Sequence, residues 1–252
     1  HHPNPVDPET LELLRAEVAA AGADLGIGFD GDGDRIGIID GRGRQVPGDL
    51  LTAFLAKDVA ARHPGAPILL DVKSSEAALR LVESAGAAAQ IWKTGHSHMK
   101  KRMKELEAPL AGEMSGHIFI ADNSLGFDDA IYAAVRVITQ MVKGGQSINE
   151  FMDSLPEQHA TPELRIDCPD TVKFDSMEKI WAHVLSGHDA ADVNSIDGVR
   201  VRSGDGWWLI RASNTEAALV ARAEAADRTA LDRLLGDIET TLAAAGLDWK
   251  RP

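Results

Sequence analysis

Between residues 45 and 143 the sequence alternates short apolar runs with longer segments of helical periodicity, and this alternation restricts the possible folds more than any other feature. Apolar runs at residues 68–72 and 88–92 are typical of buried strands, because they are short and bounded by turn residues. A basic segment at 98–107 and a longer one at 128–143 have the length and spacing of helices. The pattern predicts an α/β domain whose helices cover a largely buried, mixed sheet.

The patterns on either side of this region differ from it. Residues 8–21 have the spacing of an amphipathic helix, and two apolar runs enclose a loop of glycine and aspartate before residue 40. Beyond Pro162, several strand patterns lie between predicted helices at 176–186 and 228–245. Strands grouped between two helices favour a small α+β domain.

Some predictions concern single residues. We expect Asp49 to cap a helix that runs to Arg62, because aspartate is a preferred N-cap residue. Ser147 and Glu150 have the spacing of a capping box. Of the adjacent Trp207 and Trp208, one is expected in the core and one on the surface, as in a half-buried strand.

Composition excludes several classes of function. The 26 basic and 39 acidic residues give a net charge of −13, which disfavours binding to nucleic acid or to an anionic membrane. No apolar run approaches the ~20 residues needed to span a bilayer. A single cysteine, Cys168, cannot form a disulfide framework, so a cytoplasmic location is expected.

The strongest candidate site is the Asp-Gly-Asp-Gly-Asp-Arg segment at residues 30–35, the aspartate loop. Its three carboxylates can converge on one hard cation. Without a cation, each pair of carboxylates would repel by ~3 kcal/mol at ~5 Å and an effective dielectric of about 20. An EF-hand is excluded, because its sixth and twelfth positions require glycine and glutamate but are Arg35 and Gly41 here. Arg35, directly after the aspartates, suggests that an anion such as a phosphate binds beside the carboxylates and the cation. An acidic turn is the alternative.

A second candidate is the Gly-Glu-Met-Ser-Gly-His segment at residues 112–117, the glutamate loop. In an extended loop Glu113, Ser115 and His117 would face the same side, and their polar groups suit a polyhydroxyl ligand. A structural turn with a hydrogen-bonded histidine is the alternative.

A third candidate is the Arg-Ala-Ser-Asn-Thr-Glu segment at residues 211–216, the arginine loop. Arginine followed by hydroxyl and amide side chains suits a phosphate group, although a turn between strands with a surface arginine explains the pattern equally well. Lys73 and His96 each follow a predicted strand, at the end where ligands of open α/β sheets bind.

In order and spacing, the three loops resemble those of the α-D-phosphohexomutase family, in its bacterial phosphomannomutase/phosphoglucomutase branch. The aspartate loop resembles the family's metal loop, the glutamate loop its sugar-recognition loop and the arginine loop its phosphate-binding loop. Lys-Thr-Gly-His-Ser at residues 93–97 and His-His-Pro-Asn-Pro at residues 1–5 are also similar. One departure is Ala217, where the family usually has proline.

The resemblance implies a four-domain enzyme whose last domain has a TATA-binding-protein-like fold. Residues 1–44 would be the carboxyl-terminal part of domain 2, residues 45–157 domain 3 and residues 158–252 domain 4. The implied reaction interconverts the 1-phosphate and 6-phosphate of mannose or glucose through a phosphoserine and a 1,6-bisphosphate.

The resemblance also implies a role for individual residues. Mg²⁺ would bind Asp30, Asp32 and Asp34. The implied catalytic residues are Arg35, Lys73 and His96. The implied substrate-binding residues are Glu113, Ser115, His117, Arg211, Ser213, Asn214 and Thr215.

The family's Thr-Ala-Ser-His-Asn-Pro-like phosphoserine loop has no counterpart among the 252 residues. The chain is therefore expected to be inactive by itself and to require the missing amino-terminal domains of the same enzyme as its partner. The alternative function is that of a non-catalytic fragment that binds metal or sugar phosphates.

Overall fold

The protein's structure, a computed structural model, describes residues 3–251 and divides into two compact units, residues 1–156 and 157–252. His1 and His2, which open the His-His-Pro-Asn-Pro motif, lie outside the described residues. None of the helices between residues 3 and 251 is both long and apolar enough to cross a lipid bilayer.

The first unit contains two sheets, and its regular elements alternate between strand and helix as predicted. In chain order they are α1 (Glu12–Ala21), β1 (Leu25–Phe29), β2 (Ile36–Asp40), β3 (Gln45–Val46), α2 (Gly48–Arg62), β4 (Pro67–Asp71), α3 (Glu76–Ser84), β5 (Ala88–Trp92), α4 (His96–Leu106), β6 (Leu110–Gly112), β7 (Ile118–Ile120), α5 (Ala130–Gly144) and α6 (Ile148–Asp153).

The two sheets of the first unit share one hydrophobic core. Strands β1, β2 and β3 form an antiparallel sheet, whereas the second sheet has the order β5-β4-β6-β7, with β4 parallel to β5 and β6 and with β7 antiparallel. Ile36 and Ile38 of β2 pack with Leu51 and Phe54 of α2 and with Val137 of α5 in a single cluster. The hairpin β1–β2 is therefore packed against the mixed sheet's helices.

Helix ends in the first unit follow from local chemistry at most positions. The side chain of Asp7 accepts a hydrogen bond from the amide of Glu9 and opens a short 3₁₀ turn before α1. Ser147 and Glu150 form the predicted capping box of α6. The prediction for Asp49 was wrong: α2 begins at Gly48 after Pro47, and the buried Asp49 carboxylate accepts the amide of Ser75 at 2.7 Å.

The second unit is a six-stranded antiparallel sheet with two long helices. Its elements are β8 (His159–Ala160), β9 (Leu164–Asp167), α7 (Asp170–Gly187), β10 (Val193–Asn194), β11 (Val199–Ser203), β12 (Gly206–Ala212), β13 (Ala218–Ala225) and α8 (Arg228–Ala244). The strand order is β10-β11-β12-β13-β8, and β9 also pairs with β13. The predicted fold class, α/β followed by a small α+β domain, is confirmed.

Two predictions about the second unit were wrong. Helix α7 begins at Asp170, six residues before the predicted start. Trp207 and Trp208 are both buried, at 1% and 0% exposed, whereas one of them was expected on the surface. Trp208 belongs to the hydrophobic core, while the indole of Trp207 stacks against the guanidinium of Arg200, 3.7 Å from the ring centroid.

Candidate active site

The aspartate loop is the connection of the β1–β2 hairpin, in which Phe29 pairs with Ile36. The Asp30 carboxylate organises this loop: its Oδ1 accepts the amides of residues 33, 34 and 35, each at 3.1 Å. Its Oδ2 accepts the Nε–H of Arg35 at 2.6 Å. A single carboxylate thus accepts three backbone amides of the turn and also holds the arginine.

The electrostatics of the aspartate loop fit a divalent cation. One carboxylate oxygen from each of Asp30, Asp32 and Asp34 lies within 4.8 Å of the others. Burial together with the hydrogen bond and charge of Asp30 raises the pKa of Asp34 to about 6. Although burial acts in the opposite direction, hydrogen bonds from Arg35 lower the pKa of Asp30 to about 2. Three hard oxygen donors with unbalanced negative charge are the donor set that Mg²⁺ prefers.

The glutamate loop joins β6 to β7 as a tight turn, which is the second of the two interpretations of its sequence, and not as an extended loop. The amide of Glu113 donates to the carbonyl of His117 at 2.9 Å, and the amide of Gly116 donates to the carbonyl of Glu113 at 3.0 Å. Gly116 has φ +91°, and a Cβ there would lie 2.5 Å from the carbonyl oxygen of Ile36. The close approach to β2 therefore requires glycine at this position.

The Glu113 side chain is buried, at 2% exposed, inside this turn. Its Oε1 accepts the amide of Gly95 at 2.7 Å, and its Oε2 accepts the hydroxyl of Ser115 at 3.0 Å. Burial and the nearby charge of Asp71 raise the pKa of Glu113 to about 7, against the opposing effects of these hydrogen bonds and of Lys73. The structure thus brings three predicted residues, Glu113, Ser115 and Lys73, into one polar cluster.

Asp71, which was not predicted, connects the members of this cluster. It ends β4, and its carboxylate accepts the hydroxyl of Ser74 at 2.7 Å and that of Thr94 at 3.2 Å. The Nζ of Lys73, 6% exposed, lies 3.8 Å from the Asp71 carboxylate. The cluster forms where β4, β5 and β6 end, as expected for the ligand site of an open α/β sheet.

The aspartate and glutamate loops meet within the first unit. Arg35 and His117 form an isolated antiparallel β-bridge, and the amide of Ile36 donates to the carbonyl of Gly116 at 3.0 Å. The amide of Ala130, which begins α5, donates to the carbonyl of Gly33. The backbone therefore holds both loops and one helix end in a single arrangement.

Two predicted histidines and one unpredicted aspartate lie at this junction. The rings of His96 and His117 are stacked with centroids 6.0 Å apart. The Nδ1 of His117 lies 3.3 Å from Asp128 and 3.8 Å from Asp34, and burial lowers the pKa of His117. Lys100 donates to the Asp128 carboxylate at 2.9 Å. The ring of His117 thus lies beside the aspartate loop, whereas its backbone carbonyl accepts the amide of Glu113.

The arginine loop belongs to the second unit and follows β12. The Nε–H of Arg211, a residue 4% exposed, donates to the carboxylate of Asp197 at 2.9 Å. The hydroxyl of Ser213 accepts the amides of Thr215 at 3.4 Å and Glu216 at 3.2 Å, while Asn214 and Thr215 are exposed. The loop is a compact turn that presents two polar side chains beside an oriented arginine.

Four residues that shape the site were missed by sequence reasoning. Asp71 and Asp128 stand beside predicted residues, and their position after β4 and before α5 could have indicated them. Asp197 and Lys173, which contact the arginine loop, are 14 and 40 positions from their partners. No local pattern marks such distant contacts.

Comparison with known proteins assigns the family. The chain matches the domain models "Phosphoglucomutase/phosphomannomutase, alpha/beta/alpha domain II" at residues 1–43, "alpha/beta/alpha domain III" at residues 47–159 and "C-terminal domain" at residues 163–241. The mixed α/β fold agrees with these domain models. The chain belongs to the phosphoglucomutase/phosphomannomutase family.

Individual relatives agree with this assignment. The chain is 45% identical over 242 residues to phosphomannomutase/phosphoglucomutase from Pseudomonas putida, covering 96% of the chain and 52% of the relative. It is 38% identical over 234 residues to a phosphoglucomutase from Neisseria gonorrhoeae, covering 93% of the chain and 51% of the relative. The chain thus spans about half the length of these curated relatives.

Solved structures support the fold. A phosphoglucomutase/phosphomannomutase family protein from Burkholderia thailandensis matches 98% of the chain and 53% of its own length, with a TM-score of 0.89 and 37% identity. N-acetylphosphoglucosamine mutase from Aspergillus fumigatus matches 87% of the chain and 48% of its own length, with a TM-score of 0.60. At 18% identity, this second match supports the fold alone.

Proposed function

We propose that this chain provides the metal-binding, sugar-binding and phosphate-binding elements of a phosphohexomutase that interconverts the 1-phosphate and 6-phosphate of mannose or glucose. The observation that carries the proposal is the junction of the aspartate and glutamate loops through the bridge between Arg35 and His117. A cation-binding turn joined to a hydroxyl-binding turn suits a substrate that is both a sugar and a phosphate.

The proposed metal is Mg²⁺, held by the carboxylates of Asp30, Asp32 and Asp34. When bound, Mg²⁺ neutralises charge that develops on a transferring phosphoryl group. The Aspergillus fumigatus N-acetylphosphoglucosamine mutase structure contains magnesium together with GlcNAc-6P, which supports the choice of metal. We also propose a cytoplasmic location, with which the buried free thiol of Cys168 is consistent.

In the proposed reaction a phosphoryl group moves from a phosphoserine oxygen to the free hydroxyl of the hexose phosphate, and the hydroxyl releases its proton. The resulting 1,6-bisphosphate reorients and returns its other phosphoryl group to the serine. The phosphoserine would belong to a segment outside these 252 residues. Arg35, whose Nε–H donates to Asp30 at 2.6 Å, would orient the transferring group.

The remaining residues would bind the substrate at its two ends. The Glu113 carboxylate and Ser115 hydroxyl would hold sugar hydroxyls, with Lys73 and His96 assisting. His117 would contact the substrate beside the metal. The arginine loop would bind the phosphate that is not reacting, through Arg211, Ser213, Asn214 and Thr215. Such a site must accept either phosphate as the sugar turns over, so it should recognise the dianion more than the sugar.

Calorimetric titration of the 252-residue chain tests the proposal. We expect binding of glucose 1-phosphate, glucose 6-phosphate and inorganic phosphate, and no comparable binding of free glucose. Arg211→Ala should weaken all three phosphate ligands by roughly tenfold or more, since a charge-assisted hydrogen bond contributes ~1.5–3 kcal/mol. Arg228→Ala is the matched control, because Arg228 is exposed at the start of α8 in the same unit.

The titration also separates the two roles. Glu113→Ala should change the ratio of affinities for the two sugar phosphates but leave inorganic phosphate unaffected, because a carboxylate can only accept hydrogen bonds, which sugar hydroxyls donate and a phosphate dianion does not. If Arg211→Ala binds all three phosphate ligands as well as the wild type does, the arginine loop is not the phosphate site. If the wild-type chain binds none of them, the proposed function itself is wrong.

A further inference from the structure

A buried lysine lies beneath the arginine loop. Lys173, in the first turn of α7, is 5% exposed. Burying an ammonium group costs several kcal/mol unless each of its donors finds an acceptor. A lysine in this position therefore indicates that the surrounding acceptors are arranged around it.

The Lys173 ammonium group contacts three oxygens, two of them in hydrogen bonds and one in an ion pair. It donates to the carbonyl of Ser213 at 3.0 Å and to the carbonyl of Glu216 at 2.9 Å. The third is the carboxylate of Asp170, one turn earlier on α7, at 2.5 Å. The two carbonyls lie at opposite ends of the exposed turn, so a single side chain fixes both ends.

Other contacts in the turn complement this clamp. The amide of Ser213 donates to the carbonyl of Ala218 at 2.9 Å, and the Ser213 hydroxyl accepts the amides of Thr215 and Glu216. The carbonyls at both ends of the turn, those of Ser213 and Glu216, thus accept from the buried Lys173. Arg165 in β9 forms an ion pair with the carboxylate of Glu216, which reduces the negative charge beside the turn.

We propose that Lys173 is a positioning residue for the phosphate site: it holds the Ser213–Glu216 turn in its binding conformation and places a fixed positive charge beneath it. This inference rests on the proposed function of the arginine loop. Ordering the backbone of a free residue costs conformational entropy, so a turn that is held in advance binds its ligand more tightly than a mobile one.

The test measures inorganic phosphate and glucose 6-phosphate binding to the 252-residue chain by calorimetry. Lys173→Met, which removes the charge and all three donors at similar volume, should weaken both ligands by tenfold or more. Lys179→Met is the matched control, because Lys179 is exposed on the same helix. Lys173→Gln, which keeps two donors on a shorter side chain, gives the same expectation should the methionine variant fail to fold.

Two further measurements separate positioning from general destabilisation. Hydrogen exchange at the amides of Thr215 and Glu216 should accelerate in Lys173→Met, while exchange in the core of the second unit stays unchanged. Mg²⁺ binding by the aspartate loop should also stay unchanged. A variant whose phosphate affinity falls only in proportion to its folded fraction would overturn the inference.

The outcomes distinguish this inference from the proposed function. If Arg211→Ala loses phosphate binding but folded Lys173→Met or Lys173→Gln keeps wild-type affinity, the role of Lys173 is wrong and the phosphate site stands. If the wild-type chain binds no phosphate, both are wrong. Weakening in Lys173→Met and Arg211→Ala, with Lys179→Met unaffected, is the expected result.

Discussion

Replacing Glu113 with glutamine removes the ionisation of a buried carboxyl but keeps its hydrogen-bonding shape. The amide oxygen can still accept the amide of Gly95, and the amide nitrogen can donate to the Ser115 hydroxyl. In the wild type, burial and Asp71 raise the pKa of Glu113 from 4.5 to about 7. The folded first unit therefore binds the proton of Glu113 more tightly than the unfolded chain does.

The sign of the pH dependence follows from this shift. The folded state is favoured below pH 4.5, where Glu113 is protonated in both states, and this advantage is lost as the pH rises to about 7. Such a shift corresponds to about 3 kcal/mol when complete. The difference in unfolding free energy between Glu113→Gln and wild type should therefore increase by about 2–3 kcal/mol from pH 5 to pH 8, in favour of the variant.

Urea-dependent hydrogen exchange, corrected for the intrinsic rate at each pH, measures this free energy on peptides from residues 110–120. Reading those peptides separates the first unit from the second, which a global unfolding signal would not do. Glu83→Gln is the control, because Glu83 is exposed on α3. A difference between Glu113→Gln and wild type that is the same at pH 5 and pH 8 would refute the reasoning.

Three further predictions concern the metal site and turnover. Asp32→Asn should weaken Mg²⁺ binding in calorimetry without loss of stability, because the exposed Asp32 carries charge but does not organise the turn. Equal Mg²⁺ affinities of the variant and the wild type would mean that the loop is only a turn. Asp30→Asn should in addition lower the unfolding free energy of the hairpin by about 1–3 kcal/mol, since the Asp30 carboxylate accepts three amides and an arginine; unchanged hydrogen exchange in β1 and β2 would contradict this. The 252-residue chain should show no mutase turnover in a coupled assay but gain activity when a separately expressed amino-terminal portion is added; turnover by the pure chain would contradict the proposal that the phosphoserine lies outside these residues.

Strands and loops could be predicted where the information is local. Strand β5 begins and ends at the predicted residues, because it is a short apolar run bounded by turn residues or glycine. The aspartate loop is also local: three carboxylates within five residues can converge by a turn alone. Helix α2 begins directly after Pro47, so Asp49 lies inside the helix and not at its N-cap. Its carboxylate accepts the amide of Ser75 instead.

Contacts distant in sequence could not be predicted. The helix that carries Lys173 was predicted six residues short, and the apolar residues of its first turns, Val172 and Phe174, are exposed rather than packed in a core. The approach of His117 to Asp34 depends on how two hairpins pack, which periodicity does not record. The same holds for Trp207, whose burial is shared with an arginine rather than with apolar neighbours.

The shared core of the first unit has a practical consequence for anyone who divides this protein for study. The family's domain models separate near residue 45, yet Ile36 and Ile38 from before that point pack with α2 and α5 from after it. Expression of residues 47–156 alone would expose the apolar surface that Ile36 and Ile38 cover, and this exposed surface would promote aggregation. The main hydrophobic cluster of the second unit is made of residues between 164 and 245, so it stays whole when the chain is divided near residue 157. Residues 157–252 are therefore the better choice for an isolated fragment.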